Sequence, residues 1–157
     1  MKRIKLLLEN KDYRAMLSRI AEAEKERIFC RHDLTHFFDV ARLLYIYALE
    51  DGLDIDKELI YAIGLLHDIG RAAQYESGEE HHTASARAVE RLMPLCGFDA
   101  DETQAAANAI LMHRNGGGDA LAQLVYRADK RSRLCFACDA RAKCNWPADK
   151  MNLEPEI

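Results

Sequence analysis

Residues 63–71, IGLLHDIGR, bring an apolar helical run, ELIYAIGLL (residues 58–66), to a close on a histidine and an aspartate side by side. A helix of this kind enters a hydrophobic interior, where a lone carboxylate is costly unless it is paired with or bound to a cation. A metal ion meets that requirement. Two further groups bear on it: His36 opens the amphipathic stretch HFFDVARLLYIYA (residues 36–48), and Asp129 lies inside LAQLVYRADKRSRL (residues 121–134), flanked by apolar residues. A His, a His-Asp pair and a distant Asp, each on its own helix, could converge as an N₂O₂ set in a helical bundle. Such a set leaves coordination positions open for water and phosphate.

Outward from this stretch, apolar residues recur at helical rather than alternating spacing, and prolines occur only at Pro94, Pro147 and Pro155. The pattern predicts an all-α domain of about six helices and no strand. The expected helices cover about residues 11–28, 33–50, 56–68, 83–95, 101–113 and 119–136. Asp56 is placed to cap the third and Gly70 to terminate it, while Gly52 suits the left-handed stop of the second. QYESGEEHH (residues 74–82) reads as a polar loop, and the tail after Trp146 as loosely held. No repeat or linker argues for a second domain, so residues 1–157 are read as one domain. Its motif-bearing core spans about 30–135, and a cysteine-containing segment spans 135–157.

The 157 residues are 49% hydrophobic, enough for one packed core, and carry a net charge of −4. No run of basic residues offers a footprint for nucleic acid. No stretch approaches the roughly 20 apolar residues needed to cross a bilayer, and MKRIKLLLENKDYRA does not read as a signal peptide. These features give the expectation of a cytoplasmic protein with no nucleic-acid or membrane partner. A homodimer through an exposed helix face is compatible with the pattern. Five cysteines, an odd number, favour metal or redox use over a disulfide framework.

The residues His36, His67-Asp68 and Asp129, in that order and helical context, resemble the HD superfamily of metal-dependent phosphohydrolases. The resemblance covers about residues 30–135 and implies an HD-domain helical bundle. His32-Asp33 is a second His-Asp pair, but it stands at a helix start, where Asp33 is better explained as a cap or first-turn carboxylate. HHTASARAVERL (residues 81–92) and AILMHRNGGG (residues 109–118) resemble the additional histidine motifs of the two-metal branch, which includes the HD-GYP phosphodiesterases. His81 stands four before Ser85-Ala86, and His113 begins a glycine-rich loop. The resemblance thus implies that His81 and His113 bind a second metal bridged to the first by Asp68, with His82 as the alternative to His81. No GYP follows residues 114–119, so specificity for cyclic dinucleotides is not supported.

The resemblance implies a small phosphorylated substrate, a nucleotide or related phosphate ester, and one or two divalent metals drawn from Mn, Fe, Co, Ni, Mg and Zn. A divalent ion lowers the pKa of bound water from about 15.7 towards about 7 and so makes a hydroxide nucleophile without a Ser or Cys. His36, His67 and Asp129 would hold the first metal, with Asp68 as a ligand that also bridges or accepts a proton. Arg71 and Arg114 are candidates to grip a phosphate through their guanidinium forks, with Lys130 beside them. Two other readings share the motif: a di-iron oxygenase, and a non-catalytic module that senses nucleotide, metal or redox state.

A second constellation is RLCFACDARAKCNWP (residues 133–147), which places Cys135, Cys138 and Cys144 at chelating spacing. Three ligands are one short of a Cys₄ site, and Cys30 in RIFCRHD (residues 27–33) is the best remaining thiolate, with His32 as its alternative. Zinc and an iron–sulfur cluster both suit these ligands. Cys96 in LMPLCGF reads as apolar filling. Aromatic residues such as Phe37 and Tyr47 are explained by core packing, while Tyr75 and Trp146 could line a pocket.

Overall fold

The structure, a computed structural model, describes residues 1–113 and 117–155. Among the described residues it contains helices and no strand. The elements are α1 (Lys2–Glu9), α2 (Lys11–Ala23), α3 (Leu34–Glu50), α4 (Lys57–Leu66), α5 (Arg71–Ser77), α6 (His81–Leu92), α7 (Ala100–Met112) and α8 (Ala120–Arg131). Among the described residues, short 3₁₀ turns and no α-helix follow α8. No helix of the described residues is long and apolar enough to cross a membrane.

Local chemistry sets most of these boundaries. Asp33, Asp56 and Asp119 cap α3, α4 and α8 by accepting the backbone N–H groups of His36, Leu59 and Ala122. Asp99 and Glu102 form a reciprocal capping box at the start of α7. Gly52 takes the expected left-handed conformation after α3, with φ of 69°.

Two helices go beyond the sequence expectation because tertiary contacts create them. The eight-residue α1 is pinned by Arg3, whose guanidinium meets Glu58, Glu102 and Asp56 and stacks over Phe98. The seven-residue α5 takes in Gln74–Ser77, expected as loop. It buries Ala72 and stops at Gly78 in the left-handed conformation. Helices α2 and α8 stop earlier than expected, at Ala23 and Arg131. Gly70 does not terminate α4 through a left-handed φ, since its φ is −67°.

Two close backbone approaches position the remainder. Helix α4 lies directly on α3: a Cβ on Gly64 would come within 2.6 Å of both Cα and Cβ of Ala41. Only glycine permits that spacing. A Cβ on Gly70 would stand 2.1 Å from the carbonyl oxygen of His81, and the Gly70 N–H donates to Ser85 Oγ at 2.8 Å. The turn after α4 is thereby docked against the first turn of α6. Fully buried Tyr13 on α2 donates its hydroxyl to the Leu65 carbonyl at 3.0 Å, satisfying an acceptor in the last turn of α4.

These packings bring together the start of α3, the end of α4, the start of α6, and the ends of α7 and α8. Gly64→Ala should destabilise the protein, because overpacking of about 1–3 kcal/mol opposes a helix-propensity gain of at most about 1 kcal/mol. Urea unfolding measures it, and a variant as stable as the wild type would show that the α3–α4 contact yields.

Candidate metal centre

Asp68 is at the focus of the converging helix ends. It is 2% exposed, yet it faces nitrogen atoms from several directions. Its Oδ1 lies 3.3 Å from His81 Nε2 and 3.9 Å from His113 Nε2. Its Oδ2 lies 3.8 Å from His67 Nε2 and 3.4 Å from His32 Nε2. On the far side of His67, Asp129 Oδ1 stands 3.5 Å from His36 Nε2 and 3.8 Å from His67 Nε2.

Two donor sets result. One ligating atom each from His36, His67, Asp68 and Asp129 lie within 4.8 Å of one another, as do atoms from Asp68, His81 and His113. All these residues are buried, and Asp68 belongs to both sets. His81 therefore occupies the position that the sequence left open between it and His82. The His82 ring instead lies 3.5 Å from Glu80.

Hydrogen bonds fix the histidine tautomers. The Nδ1–H groups of His67 and His113 donate to the carbonyls of Gly64 and Ile110 at 2.7 and 2.5 Å, leaving each Nε2 lone pair directed at the carboxylates. Ser132 Oγ donates to the Asp129 carbonyl and accepts from His36 Nδ1 at 3.2 Å, which orients His36 likewise. His67 Nε2 and Asp68 Oδ1 have no hydrogen-bond partner although they are buried. Such groups are costly unless a ligand satisfies them.

Except at His67, where a metal ion would displace the proton, the protonation states suit metal binding, which needs neutral imidazoles and ionised carboxylates. Burial pushes His36 down to about 2, helped by Arg133, and burial pushes His81 down to about 3. Burial also lowers His113. Burial alone would raise Asp68 and Asp129, but His67 and the neighbouring cations hold both well below the usual carboxylate range. His67 is raised, because the two carboxylates outweigh its burial. The donor set fits a divalent ion: buried nitrogen and oxygen donors, fixed lone pairs and orphaned acceptors all face one place.

Cations press on the same carboxylates. Arg71 Nε is 3.3 Å from Asp68 Oδ2, and Lys130 Nζ is 2.6 Å from Asp129 Oδ2. Arg133 donates to His36 Nε2 at 3.0 Å and lies 3.6 Å from Asp129. All three line a cavity of about 500 Å³ that reaches Asp129 and His32, with Trp146 also on its wall. Arg114 lies outside the described residues. Tyr75 does not line this cavity; its hydroxyl is engaged by Glu24. The four thiols of Cys30, Cys135, Cys138 and Cys144 also line it, while Cys96 is 2% exposed in the core.

Sequence reading missed two residues here. Arg133 gave no signal beyond being one more basic residue near a helix end. His32 was passed over with its pair. Asp33 is the cap it was expected to be, but His32 is 4% exposed and aimed at Asp68. Its backbone N–H and its Nδ1 both engage Glu24, at 2.7 and 2.5 Å, and Tyr75 donates to Glu24 Oε1 at 2.5 Å. Both ring nitrogens of His32 thus face carboxylates, Nδ1 meeting Glu24 and Nε2 facing Asp68. Its signal was an acidic residue eight positions upstream of a histidine, meaningful only once the chain between them folds back.

Burial would raise the Glu24 carboxyl, but hydrogen bonds from His32 and Tyr75 outweigh it and hold the group down to about 2. A depressed carboxylate contributes stability above its unfolded value, near 4.5, and loses it as pH falls towards about 2. Glu24→Gln should therefore cost on the order of 3 kcal/mol at pH 7. Urea unfolding should show the gap to wild type closing between about pH 4.5 and 2, and a pH-independent gap would contradict this account.

A family model for the HD domain matches residues 33–134. Over 154 residues the chain is 39% identical to an uncharacterized protein of Clostridium beijerinckii, with 98% of each covered. The crystal structure of a predicted HD superfamily hydrolase from an uncultured Thermotogales bacterium superposes with a TM-score of 0.64 at 23% identity, covering 98% of this chain and 88% of that one. At that identity the likeness speaks to the fold alone. The matched segment contains His36, His67, Asp68 and Asp129, whose side chains the helices bring together, and the chain belongs to the HD domain family.

Proposed function

We propose that the protein is a metal-dependent phosphohydrolase acting on a nucleotide or related small phosphate ester. The observation that carries this reading is one buried carboxylate, Asp68, shared by two donor sets beside a cavity lined by cations. His36, His67, Asp68 and Asp129 would hold one divalent ion, and Asp68, His81 and His113 a second. When bound, such ions supply a hydroxide near neutral pH and electrostatic stabilisation of the phosphoryl oxygens.

The chain's own residues perform the remaining tasks. Arg71, Lys130 and Arg133 present donors to the cavity and bind phosphate oxygens, with Arg able to do so through two parallel N–H groups. In this structure the three cations balance Asp68 and Asp129. Once that negative charge is met by metal, their heads are free to turn to an anionic substrate. The carbonyls of Gly64 and Ile110 keep the His67 and His113 lone pairs in place throughout. Trp146 and the methylene stems of the lysine and arginines give the cavity an apolar wall against which a planar base can lie.

The test begins with metal content. Protein purified without oxygen should carry divalent metal at the histidine–aspartate centre, and His67→Ala/Asp68→Ala should lose it. With Mn²⁺, Fe²⁺ or Co²⁺ restored, wild type should release phosphate from nucleotide substrates. Equal metal in both proteins, or no hydrolysis of any phosphate ester by a loaded centre, would sink the reading.

A separate expectation concerns Arg133. Arg133→Ala should lower kcat/KM by about tenfold or more, the loss of a charge-assisted contact worth roughly 1.5–3 kcal/mol. Metal content should be retained. Unchanged kcat/KM would place the guanidinium outside the substrate's reach.

A further inference from the structure

Four of the five cysteines meet at one place, although they come from two segments more than a hundred positions apart. Cys30 precedes α3, whereas Cys135, Cys138 and Cys144 follow α8. All four line the cavity of about 500 Å³, and none forms a disulfide. Cys30, Cys135 and Cys138 also line a second cavity of about 330 Å³. These three thiols thus form part of the partition between the two spaces.

The segment that carries three of them has little else to hold it. Beyond Ser132 the described residues bury only Cys135 and Asn152, and no α-helix forms. Among the described residues, Phe136 N–H donates to the Asn152 carbonyl, the Asn152 amide to the carbonyls of Lys130 and Arg133, and Arg131 to Asn152 Oδ1. Arg133 adds a bond to the Arg31 carbonyl beside Cys30. A stretch with so small a core commonly owes its fold to a metal or a covalent staple.

The separation of the sulfurs limits the occupant. A single ion with metal–sulfur bonds of about 2.3 Å cannot hold its thiolates more than about 4.6 Å apart. Among the described residues no cysteine belongs to any group of three ligating atoms within 4.8 Å of one another. The thiols are therefore not gathered around one point as a single zinc ion would gather them. In a [4Fe–4S] cluster each thiolate sits on its own iron atom, and the thiolates stand further apart. The surroundings suit such a cluster. Arg27, Arg133 and Arg141 line the same cavity and balance thiolate charge, and the Trp146 N–H already donates to Cys144 Sγ at 3.5 Å.

We propose that Cys30, Cys135, Cys138 and Cys144 hold an iron–sulfur cluster that fastens the segment after α8 to the loop before α3. The cluster lies beside the histidine–aspartate centre but is separate from it, since no cysteine belongs to either donor set there. It is a structural staple. It fixes the chain that follows Arg133 to the loop whose Arg31 carbonyl that guanidinium meets.

The experiment measures iron and acid-labile sulfide in protein purified without oxygen, before and after incubation with Fe²⁺, Fe³⁺ and sulfide. Sulfide marks a cluster and is absent from a metal centre built on histidine and aspartate. Wild type should contain iron and sulfide with a visible charge-transfer absorbance, and native mass spectrometry should show the matching added mass. Cys135→Ser/Cys138→Ser should lose the sulfide and the absorbance with helical circular dichroism retained. His67→Ala/Asp68→Ala should keep both, which separates this site from the one proposed for hydrolysis. Absence of sulfide from wild type after incubation, stoichiometric zinc in its place, or sulfide that survives the cysteine substitutions would overturn the proposal. The wild-type measurement decides the matter even where a variant fails to fold.

Discussion

A carboxylate buried to 2% exposure with imidazole nitrogens on both its oxygens is the constraint around which this chain is organised. Asp68 could not be held there by local structure alone. Helix α4 must run into the core to deliver it, which is why α4 is apolar on nearly every face and lies on α3 at glycine distance. The turn after α4 must then dock on α6 without a side chain in the way, which Gly70 provides. The remaining donors follow from helix ends, where a side chain can reach inward and backbone carbonyls are free to orient imidazoles.

Charge balance completes the arrangement. The buried carboxylates stay ionised because imidazoles, Arg71, Lys130 and Arg133 surround them, and the imidazoles stay largely neutral because burial disfavours their cations. A set of neutral nitrogens and charged oxygens in one place is what a divalent cation requires. The same cations that steady the carboxylates line the adjoining cavity, so one group of residues links the centre to that cavity.

Much of this was legible in the sequence. An apolar helix ending on His67-Asp68 is informative because burial forces a partner on such a pair, and the aspartate caps of α3 and α4 follow from composition and position. Helices α1 and α5 were not legible, since neither has a periodic pattern long enough to register and each depends on partners distant in sequence, such as Arg3 with Glu102. His32 was misjudged for the same reason. Its neighbour Asp33 has a local explanation, whereas His32 acquires its role only when residues 24–32 bring Glu24 to its ring and Tyr75 arrives from α5. Arg133 is of the same kind: one more basic residue until α8 delivers it to His36.

The two donor sets draw on different helices of one core. His36, His67 and Asp129 come from α3, α4 and α8, which are locked by the Gly64–Ala41 contact and a continuous apolar core. His81 and His113 come from the start of α6 and the end of α7, which pack chiefly on each other, while α7 also packs on α4 and α8 and α6 receives the Gly70 turn. Loss of His81 and His113 would leave the inner four-residue set whole. The architecture therefore contains a simpler centre nested within a larger one, and a single carboxylate joins them.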